Sequence, residues 1–574
     1  MRKLFRYLKP FTAAIIAVFV LTFLQAISQL YLPNLMSQIV DIGIVNGDTA
    51  YILATGLRML LVAAIGAACT ISAGYLTART GAGYGRTLRE LVFERVEEFS
   101  LYEFDKIGTA SLITRTTNDI TQMQQVVMML LRMTLRAPMM FVGGIIMAVS
   151  KDARLSLLLI GALPTIAFTL WLISVKGMPM FRAMQTKLDK LNLILRENLT
   201  GIRVIRAFNR NQYEHDRFND ANYDLTSTAV RVNRLMAIMN PIINLTFNFM
   251  TLAIIWYGGI RIDGGNLQVG DLMAFVQYAM QILSSLMMIT MIFVMLPRAA
   301  VSAARINEVL DTVPAVVDPL VGEEPTQRGY LEFRNVTFSY PGAEQPAVQN
   351  ISFQAGPGET TAIIGGTGSG KSTLLNLIMR FYDVDSGSIL VGGVDVREMK
   401  QADLRAKIGF VPQQAVLFTG TVADNIRYGK EDATDAEVEA AADIAQAAEF
   451  ITGMPAGFDS LIAQGGTNVS GGQKQRLSIA RALVRRPEIY LFDDSFSALD
   501  FRTDARLRAA LKNETRDATV IIVAQRVSTV MDADRIIVLQ DGRIVGMGRH
   551  RELLATCSVY RDIVASQLSE EELA

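Results

Sequence analysis

The chain has 574 residues, too many for one ordinary domain, and is 51% apolar with only 19% charged residues. A mean hydropathy of +0.29 is oily for a soluble enzyme and mild for a pure channel, so membrane and soluble parts are expected together. The formal net charge of +0 argues against a nucleic-acid partner. Cys69 and Cys557 lie too far apart to suggest a disulfide framework or a cysteine metal site.

From Met1 to Pro10 basic residues interleave with bulky apolar ones, the pattern of a short helix lying at the inner membrane surface. No small-residue cleavage site closes the apolar run that follows, so it reads as a span rather than a signal peptide. Crossing about 30 Å of hydrocarbon takes roughly 20 residues. Six stretches are long enough: Phe11 to Leu32, Ile52 to Thr77, Met128 to Val149, Leu155 to Val175, Ile242 to Ile262 and Leu272 to Leu296. Charges are expected only in the connections between them.

The connection after the second span carries Arg79, Arg86, Arg89, Arg95, Lys106 and Arg115, and the one after the fourth is richer still. Pro33 to Tyr51 has no Lys or Arg. Both long loops and both termini are therefore expected in the cytoplasm. Leu88, Leu91, Val92, Val96 and Phe99 recur at helical spacing, as do Leu188, Leu191, Leu195, Leu199 and Ile202. The helices should thus continue well below the membrane. Methionines crowd the third and sixth spans and suit a surface that accepts varied apolar guests. Gln277 and Gln281, one turn apart in the sixth span, are better lining candidates, because an amide is costly against lipid.

Val313 to Pro319 and Gly322 to Pro325 break the helical pattern. The expected division is a transmembrane domain over 1–312, a linker over 313–328 and an α/β nucleotide-binding domain over 329–574. Leu331 to Tyr340 reads as a strand ending in an aromatic, and Tyr340 is a candidate to stack on an adenine ring. Next comes Gly365-Gly366-Thr367-Gly368-Ser369-Gly370-Lys371-Ser372, which fits the phosphate-binding loop G-x-x-x-x-G-K-[ST]. The glycines let several N–H groups face one anion, Lys371 adds a charge for the β/γ-phosphates, and Ser372 offers a hydroxyl to Mg²⁺. Thr360 to Ile364 should be the strand before it, and Ser372 to Met379 the helix after. Ile489 to Asp494 is an apolar strand ending in two carboxylates. It is expected beside the phosphate-loop strand, with Asp493 next to the Mg²⁺.

Val469-Ser470-Gly471-Gly472-Gln473, before a helix, resembles the signature loop of ATP-binding cassette (ABC) transporters. Val411-Pro412-Gln413 is similar to their Q-loop, and Ser497-Ala498-Leu499-Asp500 to their D-loop. Asp541-Gly542 looks like their late hairpin turn. The whole chain resembles an ABC exporter half-transporter: a six-helix membrane bundle fused to an α/β P-loop domain. That resemblance implies ATP and Mg²⁺ as ligands, with Thr373, Gln413, Gln473 and Asp500 added to the nucleotide site and Gln413 to the metal. It also implies a dimer, with each ATP between one phosphate loop and the opposite signature loop. The pieces Phe104 to Asn118 and Phe208 to Phe218 look like coupling helices.

Two positions depart from the family pattern. Where exporters usually carry a catalytic Glu after the Walker B acid, this chain has Asp494, and where the switch strand usually ends in His it has Gln525. Asp is about 1 Å shorter in reach, and a misplacement of that size can cost of order 10²-fold in rate. Glutamine can hydrogen-bond a phosphate but cannot carry the charge of an imidazolium. Gln464, where many relatives have Glu, fits the same asymmetry. The expectation is one subunit of a heterodimeric multidrug exporter in a bacterial plasma membrane, surrounded by lipid and moving amphipathic small molecules, with a slow ATP site of its own. Its rivals are a homodimeric lipid or peptide translocase and a mainly regulatory ATP-binding subunit.

Overall fold

A computed structural model describes residues 1–567 apart from 173, 174 and 176. The chain forms two compact units, Met1–Glu94 with Ile113–Asp311, and Arg95–Leu112 with Thr312–Ala574.

The first unit is all helix. A short α1 (Arg2–Phe5) precedes α2 (Thr12–Gln38) and α3 (Thr49–Glu97). After the short helices α4 (Leu101–Ile107) and α5 (Thr109–Thr114) come α6 (Ile120–Lys151) and α7 (Leu157–Leu172). Then follow α8 (Met178–Thr200), α9 (Ile202–Ala207), α10 (Asn211–Asp263) and α11 (Val269–Asp311). Among the described residues five helical stretches are long and apolar enough to cross a membrane. The remaining expected span, Leu155 to Val175, corresponds to α7, and its end includes residues outside those described.

The expected extension below the membrane is present. At 1.5 Å per residue, α3 is roughly 74 Å long, more than twice the hydrocarbon thickness. Its buried Thr80, Gly81, Tyr84, Gly85, Leu88 and Val92 repeat every three or four residues, so one stripe faces a neighbour. A Cβ at Gly81 would meet the Met128 side chain at 2.4 Å, and one at Gly85 would meet Gln124 at 2.6 Å. Those two glycines let side chains of α6 close on α3. Helices α2, α6 and α11 pack on one another, and α10 packs on α7 and α8.

Two expectations need correction. Charges are not confined to the connections, because Arg132 and Arg136 lie inside the third span on α6. The piece Phe104 to Asn118 is also not one continuous helix, since α4 ends at Ile107 and α5 begins at Thr109. Ser100 and Glu103 cap α4 reciprocally, and Gly108 ends it with a φ of 80° that glycine adopts without strain. In the second segment Asn209, at φ 51°, turns the chain between α9 and α10, and 211–218 already belong to α10.

The second unit has two main sheets. β1 (Leu331–Phe338), β2 (Val348–Ala355), β4 (Ser386–Val391) and β5 (Val394–Asp395) form an antiparallel sheet in the order β2-β1-β4-β5. β3 (Thr360–Gly365), β6 (Ile408–Val411), β9 (Ile489–Asp493), β10 (Thr519–Val523), β11 (Arg535–Gln540) and β12 (Arg543–Gly548) form the other, in the order β12-β11-β3-β10-β9-β6. Its strands are parallel except β12. Asp541 and Gly542, both at positive φ, make the β11–β12 turn. A small pair, β7 (Gly420–Thr421) and β8 (Leu461–Ile462), lies among α14 (Val422–Arg427), α15 (Asp435–Ile444) and α16 (Ala448–Thr452). The remaining helices are α12 (Lys371–Ile378), α13 (Gln401–Ala406), α17 (Gly471–Leu483), α18 (Phe501–Glu514), α19 (Val527–Val530), α20 (His550–Thr556) and α21 (Ser558–Ala565).

Alternate residues of the parallel strands face opposite cores. Ile363, Leu491 and Ile521 pack with Leu374 and Leu375 on one side. Ala362, Phe492 and Ile522 pack with Leu477 and Ile479 on the other. Strands buried on both faces read as near-continuous apolar runs, which is how β3, β9 and β10 look in the sequence. In this unit α4 meets the same core: Tyr382 donates its hydroxyl to Asp105 at 3.2 Å, and Glu103 accepts the Ala315 N–H at 3.1 Å.

Candidate functional site

The phosphate loop lies between β3 and α12, as the sequence predicts, but β9 is not beside β3. The strand β10 separates them. In register, Val523 pairs with Ile363 on one side and Asp493 on the other, so Asp493 ends level with the base of the loop. Strand order is decided by which crossovers pack, and nothing local in β9 encodes it. The two motifs still meet: the Ser372 hydroxyl donates to Asp493 Oδ1 at 2.9 Å.

Local geometry shows why the loop is built from glycine. Gly368 and Gly370 stand at φ 80° and 96°. A Cβ on Gly365 would lie 2.2 Å from the Leu539 carbonyl, and one on Gly370 would lie 2.7 Å from that of Ala347. Lys371 folds its ammonium onto the Gly365 and Gly366 carbonyls at 3.0 and 2.7 Å. Burial lowers its pKa, while Asp494 and Asp493 pull it back up. The Ser369 hydroxyl is buried without a partner. An ammonium resting on carbonyls, an orphaned hydroxyl and the unpaired N–H groups at the start of α12 together match a polyphosphate. Thr367 and Gly366 lie on the open side of the loop, where a Cβ on Gly366 would meet nothing.

Tyr340 lies at the edge of this region. Its hydroxyl is 3.1 Å from Thr373 Oγ1, and its ring meets Phe338 and Tyr382 edge-on. The tyrosine ring is thus part of an aromatic cluster with Phe338 and Tyr382.

Burial raises the pKa of both Asp493 and Asp494; for Asp493 the neighbouring carboxylate adds to the effect, and the Ser372 hydrogen bond opposes it. A hydroxyl and a buried carboxylate in contact form a hard-oxygen set that suits Mg²⁺. Ser372 and Asp493 would hold the ion and Gln413 would complete the set, the ion supplying charge neutralisation for the phosphates. Gln413 is exposed and its side chain hydrogen-bonds Asp494.

Asp494 has a φ of 45°, a left-handed conformation that Asp tolerates better than most residues. Its N–H is held by the Val523 carbonyl at 2.9 Å. The two departures from the family pattern touch each other: Gln525 Nε2 donates to Asp494 Oδ2 at 3.0 Å. Gln567, which the sequence reading missed, spans the switch turn. It accepts from the Val527 N–H and donates to the Gln525 carbonyl, both at 2.8 Å. A glutamine in a polar tail carries no local signal of such a role.

The signature residues keep their hydrogen bonds to themselves. Ser470 caps α17 through the Gln473 N–H, and Gln473 Oε1 accepts from the Ser470 N–H at 2.8 Å. Gly471 and Gly472 form the first turn, and the cap leaves the helix start exposed. Asp500 similarly caps α18 through Thr503.

A helical membrane unit joined to a P-loop ATPase whose signature helix has an exposed start defines an ATP-driven membrane translocase. The chain belongs to the ABC transporter family and is a half-transporter of the exporter type. The family model for the ABC transporter transmembrane region matches residues 15–286, and the ABC transporter model matches residues 348–497. It is 46% identical to an uncharacterized ABC transporter ATP-binding protein of Mycobacterium tuberculosis, over 98% of this chain and 97% of that protein. A fatty acid ABC transporter ATP-binding/permease protein of the same species is 35% identical, over 82% and 75% of the two chains. A bacterial Atm1-family ABC exporter solved with ATP bound is 28% identical with a TM-score of 0.80, over 97% of this chain and 99% of that one. The protein is therefore embedded in a membrane with its cassette in the cytoplasm, and works as half of an ATP-binding dimer.

Proposed function

We propose that the chain is a subunit that exports amphipathic compounds across the bacterial plasma membrane by alternating access, and that its own Walker motifs form a slow ATP site. The observation that carries the second half is the 3.0 Å hydrogen bond from Gln525 to Asp494. A carboxylate one methylene short, with one oxygen held by an amide, is poorly placed to orient an attacking water. The same amide, engaged there, is drawn away from a γ-phosphate. Lys371, Ser369 and the loop glycines 365, 366, 368 and 370 bind the phosphates, Ser372 and Asp493 hold Mg²⁺, and the Ser470–Gln473 turn serves the ATP of the partner subunit. That partner would be a second half-transporter carrying Glu and His at the corresponding positions.

The test is ATP turnover of this chain purified alone and co-expressed with a candidate partner. Negligible turnover alone, restored by the partner, is expected. Robust turnover alone that Asp494→Asn abolishes would overturn the slow-site reading. It would leave a second one, a homodimer with symmetric sites that moves lipids. The fatty-acid relative favours that substrate class, and the intramembrane arginines are consistent with it.

A further inference from the structure

The third span carries two cations one helical turn apart, Arg132 and Arg136, on one face of α6. Arg136 lies eight residues beyond Met128 and thirteen before Val149, about 12 and 20 Å from the ends of the apolar stretch. It does not reach for an interface. Instead its Nη2 donates to Gln29 Oε1 of α2 at 3.3 Å. Among the described residues no carboxylate stands within ion-pair distance of either arginine.

The third member of the packed trio, α11, adds Gln277 and Gln281, again one turn apart. Gln281 Nε2 donates to the Gln29 carbonyl at 3.4 Å. Two polar atoms at this meeting point, Arg136 Nε and Gln281 Oε1, are buried with no partner. An ionisable group inside a span without a counter-ion marks a functional site by default, and a guanidinium is shaped for a carboxylate or a phosphate. Met280, one turn from Gln277, and Met287, two turns further along α11, are exposed, a flexible apolar strip adjoining the polar pair.

We propose that Arg132 and Arg136, with Gln29, Gln277 and Gln281, bind the anionic headgroup of the transported amphiphile, a carboxylate or phosphate whose acyl chain lies along the α11 methionines. This deepens the export reading above and rests on it. It is independent of whether the chain's own ATP site is slow.

The experiment is equilibrium binding to the purified full chain in neutral phosphatidylcholine nanodiscs, which does not depend on turnover. The probes are oleate, oleoyl lysophosphatidate, neutral monoolein and inorganic phosphate. Both anionic lipids are expected to bind at least about tenfold tighter than monoolein, the scale of one charge-assisted hydrogen bond. Arg136→Gln should remove that advantage and leave monoolein unchanged, while Arg136→Lys should keep part of it. Should Arg136→Gln fail to fold, the exposed Arg132→Gln carries the same comparison. Equal binding of oleate and monoolein, or a loss shared equally by both in the variants, would overturn the proposal. Competition by millimolar inorganic phosphate would make this a free-anion site and overturn the amphiphile assignment. Binding of none of the lipids would likewise overturn the headgroup proposal, and would leave the exporter assignment, which rests on the fold and the relatives, in place.

Discussion

Asp494 and Gln525 restrain each other, so neither is expected to act alone. Asp494→Glu restores the missing methylene and Gln525→His frees the carboxylate from the amide. The double variant should hydrolyse ATP faster at this site by about 10- to 100-fold in a single-turnover assay, with nucleotide affinity little changed. Lys371→Ala should weaken binding of a fluorescent ATP analogue more than tenfold, since the remaining loop donors are uncharged. The buried acids also make a pH signature. Folding raises the pKa of Asp493, so the folded chain binds that proton more tightly than the unfolded chain. Its contribution to stability is therefore best at low pH and is lost as pH rises from the ordinary carboxylate range through the raised value. Asp493→Asn should accordingly raise the thermal midpoint of the nucleotide-free chain at neutral pH. The gain should shrink on acidification and be absent when Mg²⁺-ATP is added.

At the scale of elements, two short segments hold the nucleotide machinery. Helix α17 starts with two glycines, each costing roughly 1 kcal/mol against alanine within a helix, and Ser470 with Gln473 caps that weak first turn. Ser470→Ala should cost about 1 kcal/mol, read as a thermal midpoint lower by roughly 2–4 °C for a domain of this size. The end of α21 is the other. Tyr560 and Val564 are fully buried, which anchors the helix so that Gln567 can bridge Gln525 and Val527. Element boundaries were legible wherever the local chemistry was strong. The apolar run of β3 before the glycines, and the aromatic-rich β9 before its acids, appear within a residue of expectation. The division of the piece Phe104 to Asn118 was not, because only Gly108, at positive φ, shows where α4 ends.

For the molecule as a whole, the membrane unit is tied together by polar bonds near its helix ends. Asp152, between α6 and α7, accepts from Arg261 of α10 at 2.7 and 2.9 Å and from the Arg154 and Leu155 N–H groups. The carboxylate is almost fully buried, with 3% of its side chain exposed. Removing one member of a buried pair strands the other, so Asp152→Ala should cost about 3–5 kcal/mol of stability. The loss should be partly recovered in Asp152→Ala with Arg261→Met, as thermal melts of the detergent-solubilised chain would show.

Composition and local pattern were enough for the class of molecule. Apolar runs of membrane length, arginines clustered in alternate loops and the phosphate-loop spacing each act over a few neighbouring residues, and such short-range constraints are written in the chain. The departures at Asp494 and Gln525 were legible for the same reason, as single residues within strong motifs. Strand order was not, because β10 enters between β3 and β9 through crossovers whose packing involves residues far apart in the sequence. Nor were the contacts between side chains: the Gln525–Asp494 bond, the Gln567 bridge and the meeting of Arg136 with Gln29 and Gln281. Each joins segments more than thirty residues apart, and only burial in the tertiary fold decides which polar atoms find partners and which remain free for a ligand.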